Sequence, residues 1–447
     1  MTTRRGSRRT AVVAAMSVGA ALALAPAAAA EPYPYGFPDE TREVAGARGP
    51  GGAPVLDAGE TYRSTIGPGQ ELHYRVRLDD ASSAYVSAVA LPGLGDRVAF
   101  GDGLALRLEN AEGGRCGTAR TGFGNADFPR PLVASVERLV AQGALHCRAA
   151  GTYTLIVART DGGRSASRET WDLELDLVNE PALEGVAPSE TPSPRPEDGG
   201  PLPEGAAEER QGGTSFHDAV AIGTGVWRGR IEPGRTLFYK VPVDWGQRIA
   251  AGAELRAPGD EAVVAQALRL GLHNPAHDEV AADQPSLRGT RVSAALDGLP
   301  PVAYENRLAS APRVKGMRFA GAYYLQLTLS PDLAERYGEG PLDVTLRVGV
   351  DGAAVAGPSY VGDPGIFDAE AVDAGTDADA GTDGSEGADE GEGADRDADG
   401  QAADGTGPAA GHDGGMQLVA AVSIALGTAL VLWLAVWAVV GRRHRES

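Results

Sequence analysis

Within residues 71–78, Leu72, Tyr74, Val76 and Leu78 alternate with charged or polar neighbours. Residues 236–243 repeat the alternation with Leu237, Tyr239, Val241 and Val243. The same period of two runs through 104–110, 152–157, 171–178, 323–329 and 342–350. Successive strand side chains point to opposite faces, so this period predicts half-buried strands. Pro-Gly, Asp-Gly and Gly-Gly pairs punctuate the runs as turns. Short alternating strands at this density predict antiparallel sheets packed as sandwiches.

The phrase at 65–79, TIGPGQELHYRVRLD, returns at 230–244 as RIEPGRTLFYKVPVD. Ile66/Ile231, Pro68/Pro233, Gly69/Gly234, Leu72/Leu237, Tyr74/Tyr239, Val76/Val241 and Asp79/Asp244 recur at one offset of 165. Three further landmarks follow in the same order: 106–110 with 270–274, 131–139 with 300–308, and 149–157 with 319–327. Each copy closes on an alternating run, at 171–178 and 342–350. The expected architecture is all-β: two tandem antiparallel, jelly-roll-like β-sandwich domains at 55–180 and 214–352. Tyr74 should superpose on Tyr239, and Tyr153 on Tyr323. One landmark is ambiguous. Leu132, Val133, Val136, Leu139 and Val140 make a helical stripe, whereas its partner alternates Val302, Tyr304, Asn306 and Leu308. One fold must serve both copies, which favours an extended segment in each.

The remaining segments carry other patterns. Residues 1–30 read as an export signal: four arginines among the first nine residues, an apolar stretch, then Ala-x-Ala at 28–30. Residues 31–54 begin Pro- and Tyr-rich and read as extended. Residues 181–213 are a Pro/Gly/Glu-rich linker, expected to let the sandwiches move apart. Residues 353–415 read as a disordered acidic stalk. Residues 416–440 contain Leu418–Val440, 23 residues without a charge, long enough to span a bilayer core as one helix. Three arginines in 441–447 place that tail in the cytoplasm. The expectation is a single-pass type I protein at the cell membrane with its ectodomain outside.

Net charge is −21 over 447 residues. Between Asp363 and Asp413, 16 acids and one arginine contribute −15, so the sandwiches themselves are nearly balanced. This argues against nucleic-acid binding, which calls for a basic face. Lysine occurs only at 240 and 315, a bias of GC-rich coding of the actinobacterial kind. Two cysteines, Cys116 and Cys147, fall in one predicted domain. An exported chain permits a bridge between them, contributing about 3–4 kcal/mol in the chain-entropy model.

The recurring I-x-P-G-x-x-L-x-Y-x-V phrase, LRLEN at 106–110 and AGTYTLIV at 150–157 resemble the bacterial pre-peptidase C-terminal domain. That resemblance spans both sandwiches and implies an accessory or binding module of the kind attached to secreted peptidases. No peptidase domain accompanies the modules in this chain. The acids that often flank the family's middle strand are reduced to Asp102 in the first copy, and the second reads VVAQALRL, which leaves the calcium role that the resemblance implies open.

Candidate chemistry is sparse. Ser215, His217 and Asp218 are neighbours in sequence and cannot converge as a triad, which needs groups from separate elements. They read as a polar entry to the second domain. His273 and His277, four apart with Asp278 and Glu279 adjacent, would suit zinc on a helix. Pro275 between them argues for a loop. No Gly-x-Ser-x-Gly motif, phosphate loop or dinucleotide fingerprint is present. Trp227 aligns with Tyr62 as a core position, while Trp245 falls where a loop should start. The expectations are therefore no catalytic residues, no metal ligands and no cofactor, with Trp245 and Tyr324 as candidate contact surface. The expected function is non-enzymatic binding or scaffolding of another surface protein, a secreted protein or a cell-wall component. The alternatives are an accessory subunit of an exported enzyme or secretion system, or an unrecognised hydrolase.

Overall fold

Ten strands build the first module: β1 (Arg42–Glu43), β2 (Val55–Leu56), β3 (Thr61–Ile66), β4 (Glu71–Leu78), β5 (Ser83–Leu91), β6 (Gly103–Glu109), β7 (Arg115–Gly122), β8 (Leu132–Arg138), β9 (Gly151–Thr160) and β10 (Trp171–Glu180). This is a computed structural model, and it describes residues 31–370 apart from 141–144, 161, 164–166, 189–199, 201 and 260–261. The predicted signal segment, membrane span and cytoplasmic tail lie outside the described residues. Among the described residues no helix is long and apolar enough to cross a membrane.

The second module follows with β11 (Glu208–Glu209), β12 (Val220–Ala221), β13 (Gly225–Ile231), β14 (Thr236–Val243), β15 (Arg248–Arg256), β16 (Ala262–Val264), β17 (Leu268–His273), β18 (Glu279–Asp283), β19 (Leu287–Gly289), β20 (Arg291–Leu296), β21 (Gly321–Leu329) and β22 (Leu342–Asp351). Its described helices are short, α1 at Pro312–Gly316 and α2 at Leu333–Tyr337.

Sheet order shows the duplication directly. The first module pairs β1-β3-β10-β5-β8 and β2-β4-β9-β6-β7. The second pairs β11-β13-β22-β15-β20 and β12-β14-β21-β17-β18, the same order strand for strand, with β16-β19 added. Register agrees too: Val76 lies opposite Tyr153, and Val241 opposite Tyr323. In each module the alternating apolar residues face inward. Leu72, Tyr74, Val76 and Trp171 fill one core, and Leu237, Tyr239, Val241 and Tyr323 the other. The ambiguous landmark divides differently from the expectation. Residues 132–138 are strand β8, but Tyr304–Leu308 is a 3-10 helix, and the true counterpart of β8 is β20. Asn306 explains the departure: its side-chain amide donates to the Pro301 and Met317 carbonyls, closing a local loop that a strand could not make.

Cys116 on β7 is bridged to Cys147, with a Cα separation of 5.6 Å. The bridge pins the 3-10 turn Leu145–Cys147 to the sheet.

The sandwiches pack face to face. The outer side of β10, β5 and β8 meets the outer side of β14, β21 and β17, burying Val89, Leu91 and Val133 with Phe238. Three segments outside the predicted domains strap this junction. Tyr33 and Tyr35 of the N-terminal segment lie between the modules, with Tyr33 Oη 2.7 Å from Thr236 Oγ1. Leu183 pairs with Tyr360, and Glu184 N donates to the Ser359 carbonyl at 2.9 Å. Phe367 is 1% exposed, edge-on to Tyr85 and tilted against Phe319. Residues 353–370, expected to begin the stalk, thus cross the junction instead. The described parts of 181–213 run along the second module, with β11 parallel to β13. The reason in each case is the few aromatic and aliphatic residues, Leu183, Tyr360 and Phe367, in otherwise polar stretches.

Candidate functional site

Strand β10 reads Trp-Asp-Leu-Glu-Leu-Asp-Leu-Val-Asn-Glu. Leu173, Leu175 and Leu177 enter the core. Period two therefore puts Asp172, Glu174, Asp176 and Glu180 on the opposite side. On an isolated sandwich that side would face water. Here the second module covers it, leaving Glu174 0% and Asp176 9% exposed.

Two loops of the second module aim histidines at this face. The Thr214–Asp218 loop is stapled by Asp218, whose carboxylate accepts from the Thr214 and Ser215 amides and hydroxyls. Ser215 and Asp218 therefore fix a loop, and His217 is what the loop presents. His217 Nε2 lies 3.4 Å from Glu174 Oε2. The β17–β18 turn is held by Asn274, whose side-chain oxygen accepts from the amides of Ala276 and Asp278. It places His277 at φ +59°, a left-handed conformation that a non-glycine residue adopts at a cost. His277 stacks on Phe216 at 4.1 Å, and its Nδ1 lies 3.4 Å from Ser87 Oγ and 4.0 Å from Asp176 Oδ2. His273 points elsewhere, with Nε2 3.0 Å from Gln326 Oε1, so the two histidines of the HNPAH stretch do not share a ligand position. The crevice has a volume of about 290 Å3. Thr61, Ser87, Asp176, His217, His277 and Tyr324 line it.

Burial and crowding shift its titrations. Burial, then the neighbouring Glu174 charge, raises Asp176 to about 7. Burial opposes charge on His217, but Glu174 and the other acids outweigh it and raise the imidazole above its ordinary value. Burial, then His217 and His273, pushes His277 down to about 3. Burial and Glu174 hold the Tyr35 hydroxyl protonated, and it donates to Glu174 Oε1 at 2.7 Å.

Of the expected contact residues, Tyr324 is half-buried in this crevice and faces the first module, not a free surface. Trp245 is 8% exposed, because Gly357 and Tyr304 pack near its ring. It nevertheless lines a groove of about 730 Å3 with Leu183, Val186, Val302, Tyr304 and Val355. Glu174 and Asp176 had no sequence signal as site residues, since alternating acids on a strand ordinarily mark a solvent face. The available signal was complementarity: an acid stripe on one module against His217, His277, Arg307 and Arg318 of the other.

No protein-family model matches the chain, and no curated protein matches it. Among solved structures, it overlaps the human MASP-1/3 CUB1-EGF-CUB2 region at 7% identity, over 64% of this chain and 99% of that one, with a TM-score of 0.16. It overlaps the tandem CBM22-1–CBM22-2 domains of Paenibacillus barcinonensis Xyn10C at 9%, over 66% and 92%, with a TM-score of 0.17. The Arabidopsis thaliana ANX1 ectodomain overlaps at 10%, over 66% and 84%, with a TM-score of 0.16. Scores this low carry no argument about what the chain binds or does.

Proposed function

We propose that the chain is an exported, single-pass type I membrane protein whose paired sandwiches bind or scaffold another surface protein, a secreted protein or a cell-wall component. The resemblance to pre-peptidase C-terminal modules supports an accessory role of this kind. The observation that carries the reading is the junction: the two modules present one composite body. Arg307 donates to both oxygens of Glu180 at 2.8 and 2.9 Å, with both side chains 2% exposed. An acidic stalk and a membrane anchor would hold that body above the bilayer, where tethering concentrates it toward neighbouring partners. The test is recovery of a partner from the native envelope by the full-length chain. The expected result is a reproducible partner, lost when the junction is broken by Arg307→Ala.

A hydrolase centred on the crevice is the second reading, favoured by Asp176, His217 and His277 converging around one cavity. If the purified chain turned over a peptide, ester or glycoside, and Asp176→Asn stopped it, the binding reading would fail.

A further inference from the structure

Glu174, Asp176 and His217 bring one donor atom each to within 4.8 Å of one another. They come from two modules, and the burial of the two carboxylates, Glu174 at 0% and Asp176 at 9% exposed, sets them apart from an exposed acidic cluster. A second observation points to a ligand. Glu174 Oε2 and Asp176 Oδ2 are buried without a hydrogen-bond partner, and both oxygens face the histidine loops. Buried carboxylate oxygens normally have partners, because leaving one unpaired costs on the order of 1–3 kcal/mol or more. Each carboxylate's other oxygen is already engaged, by Tyr35 at 2.7 Å and by Thr61 at 2.7 Å. Those donors hold the free oxygens toward the same point.

We propose that Glu174, Asp176 and His217 form a site for one divalent transition-metal ion that clamps the first module to the second. The donor set selects the ion. Imidazole nitrogens suit zinc and its first-row neighbours, whereas magnesium and calcium prefer all-oxygen shells. One imidazole and two carboxylates, with a water in the fourth position, match a four-coordinate zinc site. Donors at about 2.0–2.2 Å from a tetrahedral ion lie roughly 3.3–3.6 Å apart. The His217–Glu174 separation of 3.4 Å already has that spacing, and His277, 4.0 Å from Asp176 Oδ2, flanks the site. The groups behind these donors hold them in place: Tyr35 and Thr61 orient the carboxylates, and Asp218 fixes the loop that carries His217. The proposal holds whether the paired modules bind or hydrolyse.

The test uses untagged full-length chain, stripped with chelator and then titrated with zinc alone. Metal per chain after desalting and the thermal unfolding midpoint are measured together. The expected result is one zinc per chain, with a higher midpoint. Asp176→Asn and His217→Ala should each weaken zinc binding at least tenfold, while His146→Asn, at an exposed histidine, should not. If His217→Ala fails to fold, Asp176→Asn alone decides. Zinc binding that is absent, unchanged in Asp176→Asn, or abolished by equimolar calcium or magnesium overturns the proposal.

Discussion

The two ends of strand β10 carry the same chemistry to opposite outcomes. At one end Glu180 accepts four hydrogen bonds: two from Arg307, one from Tyr85 at 2.7 Å and one from Tyr360 at 2.9 Å. Six and four residues away on the same face, Glu174 and Asp176 each leave an oxygen without a hydrogen-bond partner. Both ends are buried by the same neighbouring module. The difference is what that module adds: the Arg307 guanidinium beside the Tyr85 and Tyr360 hydroxyls at Glu180, but only imidazoles at Glu174 and Asp176, where Tyr35 and Thr61 each serve one oxygen. A buried carboxylate with four donors is a finished structural lock. A buried pair with free oxygens is unfinished unless a proton or a cation completes it. The junction thus combines a permanent fastening with a conditional one.

The largest effect should come from breaking the lock. Arg307→Ala leaves Glu180 buried with only two tyrosine donors, and removes a guanidinium that sits 3.3 Å over the Tyr304 ring. Removing one partner of a buried ion pair costs about 3–5 kcal/mol. Denaturant unfolding should show a loss of that size. A loss under about 1 kcal/mol would mean that the pair does not hold the modules together.

Next come the hydroxyls. Tyr35→Phe strips Glu174 Oε1 of the donor that the structure gives it, and bonds to charged groups contribute about 1.5–3 kcal/mol. Tyr85→Phe should cost less, because Arg307 Nη1 still serves Glu180 Oε2 at 2.9 Å. If Tyr85→Phe proved the more damaging of the two, the contrast between the ends would be wrong.

How much of this was legible in the sequence follows from which interactions are local in pattern. The alternation at 71–78 and 236–243 fixed strands, faces and the duplication, because period two is a property of a single strand. The cysteine pair needed only export and elimination. The junction was invisible, because it depends on which face of one sandwich meets which face of the other. The packing is unlike-to-unlike: the first module uses β10, β5 and β8, the second uses β14, β21 and β17, which are counterparts of the first module's other sheet. A repeat read along the chain gives no hint of that choice. The straps were missed for a related reason. Leu183 and Phe367 stand in largely polar stretches and Tyr35 in a proline-rich one without strand or helix period, and only the assembled junction gives each a place to bury.

Protonation supplies a subtler contrast, to be read on chelator-treated protein. His277 and His273 have folded values below the ordinary 6.5, so as pH falls below 6.5 the unfolded chain takes up protons that the folded chain refuses. Stability drops on that side. His217 has a raised folded value, so its contribution is fully present below 6.5 and is lost as pH rises through the folded value. Asp176, raised to about 7, is protonated when folded and ionised when unfolded between about 4 and 7, so its burial becomes costlier as pH rises through that window. Thermal unfolding should therefore show greatest stability near pH 6.5 and a decline toward pH 8. A midpoint that stays flat or climbs from 6.5 to 8 would show that the crevice does not hold these protons.

The smallest effect is the most specific. Asp176→Asn keeps the shape of the side chain and can keep an oxygen for the Thr61 hydroxyl, while removing the charge that crowds Glu174. At pH 5 the wild-type carboxyl is already protonated when folded, so the variant should match it within a few tenths of a kcal/mol. At pH 8 the wild type must hold two buried carboxylates side by side, and the variant should be the more stable by about 1 kcal/mol. No comparable gain should follow from neutralising Glu180, which is buried in an ion pair with Arg307. Glu180→Gln should instead lose stability at pH 5 and pH 8 alike. The pair of variants, measured side by side by thermal unfolding in chelator, separates a satisfied buried acid from an unsatisfied one on a single strand. Equal and pH-independent losses in both would erase the distinction.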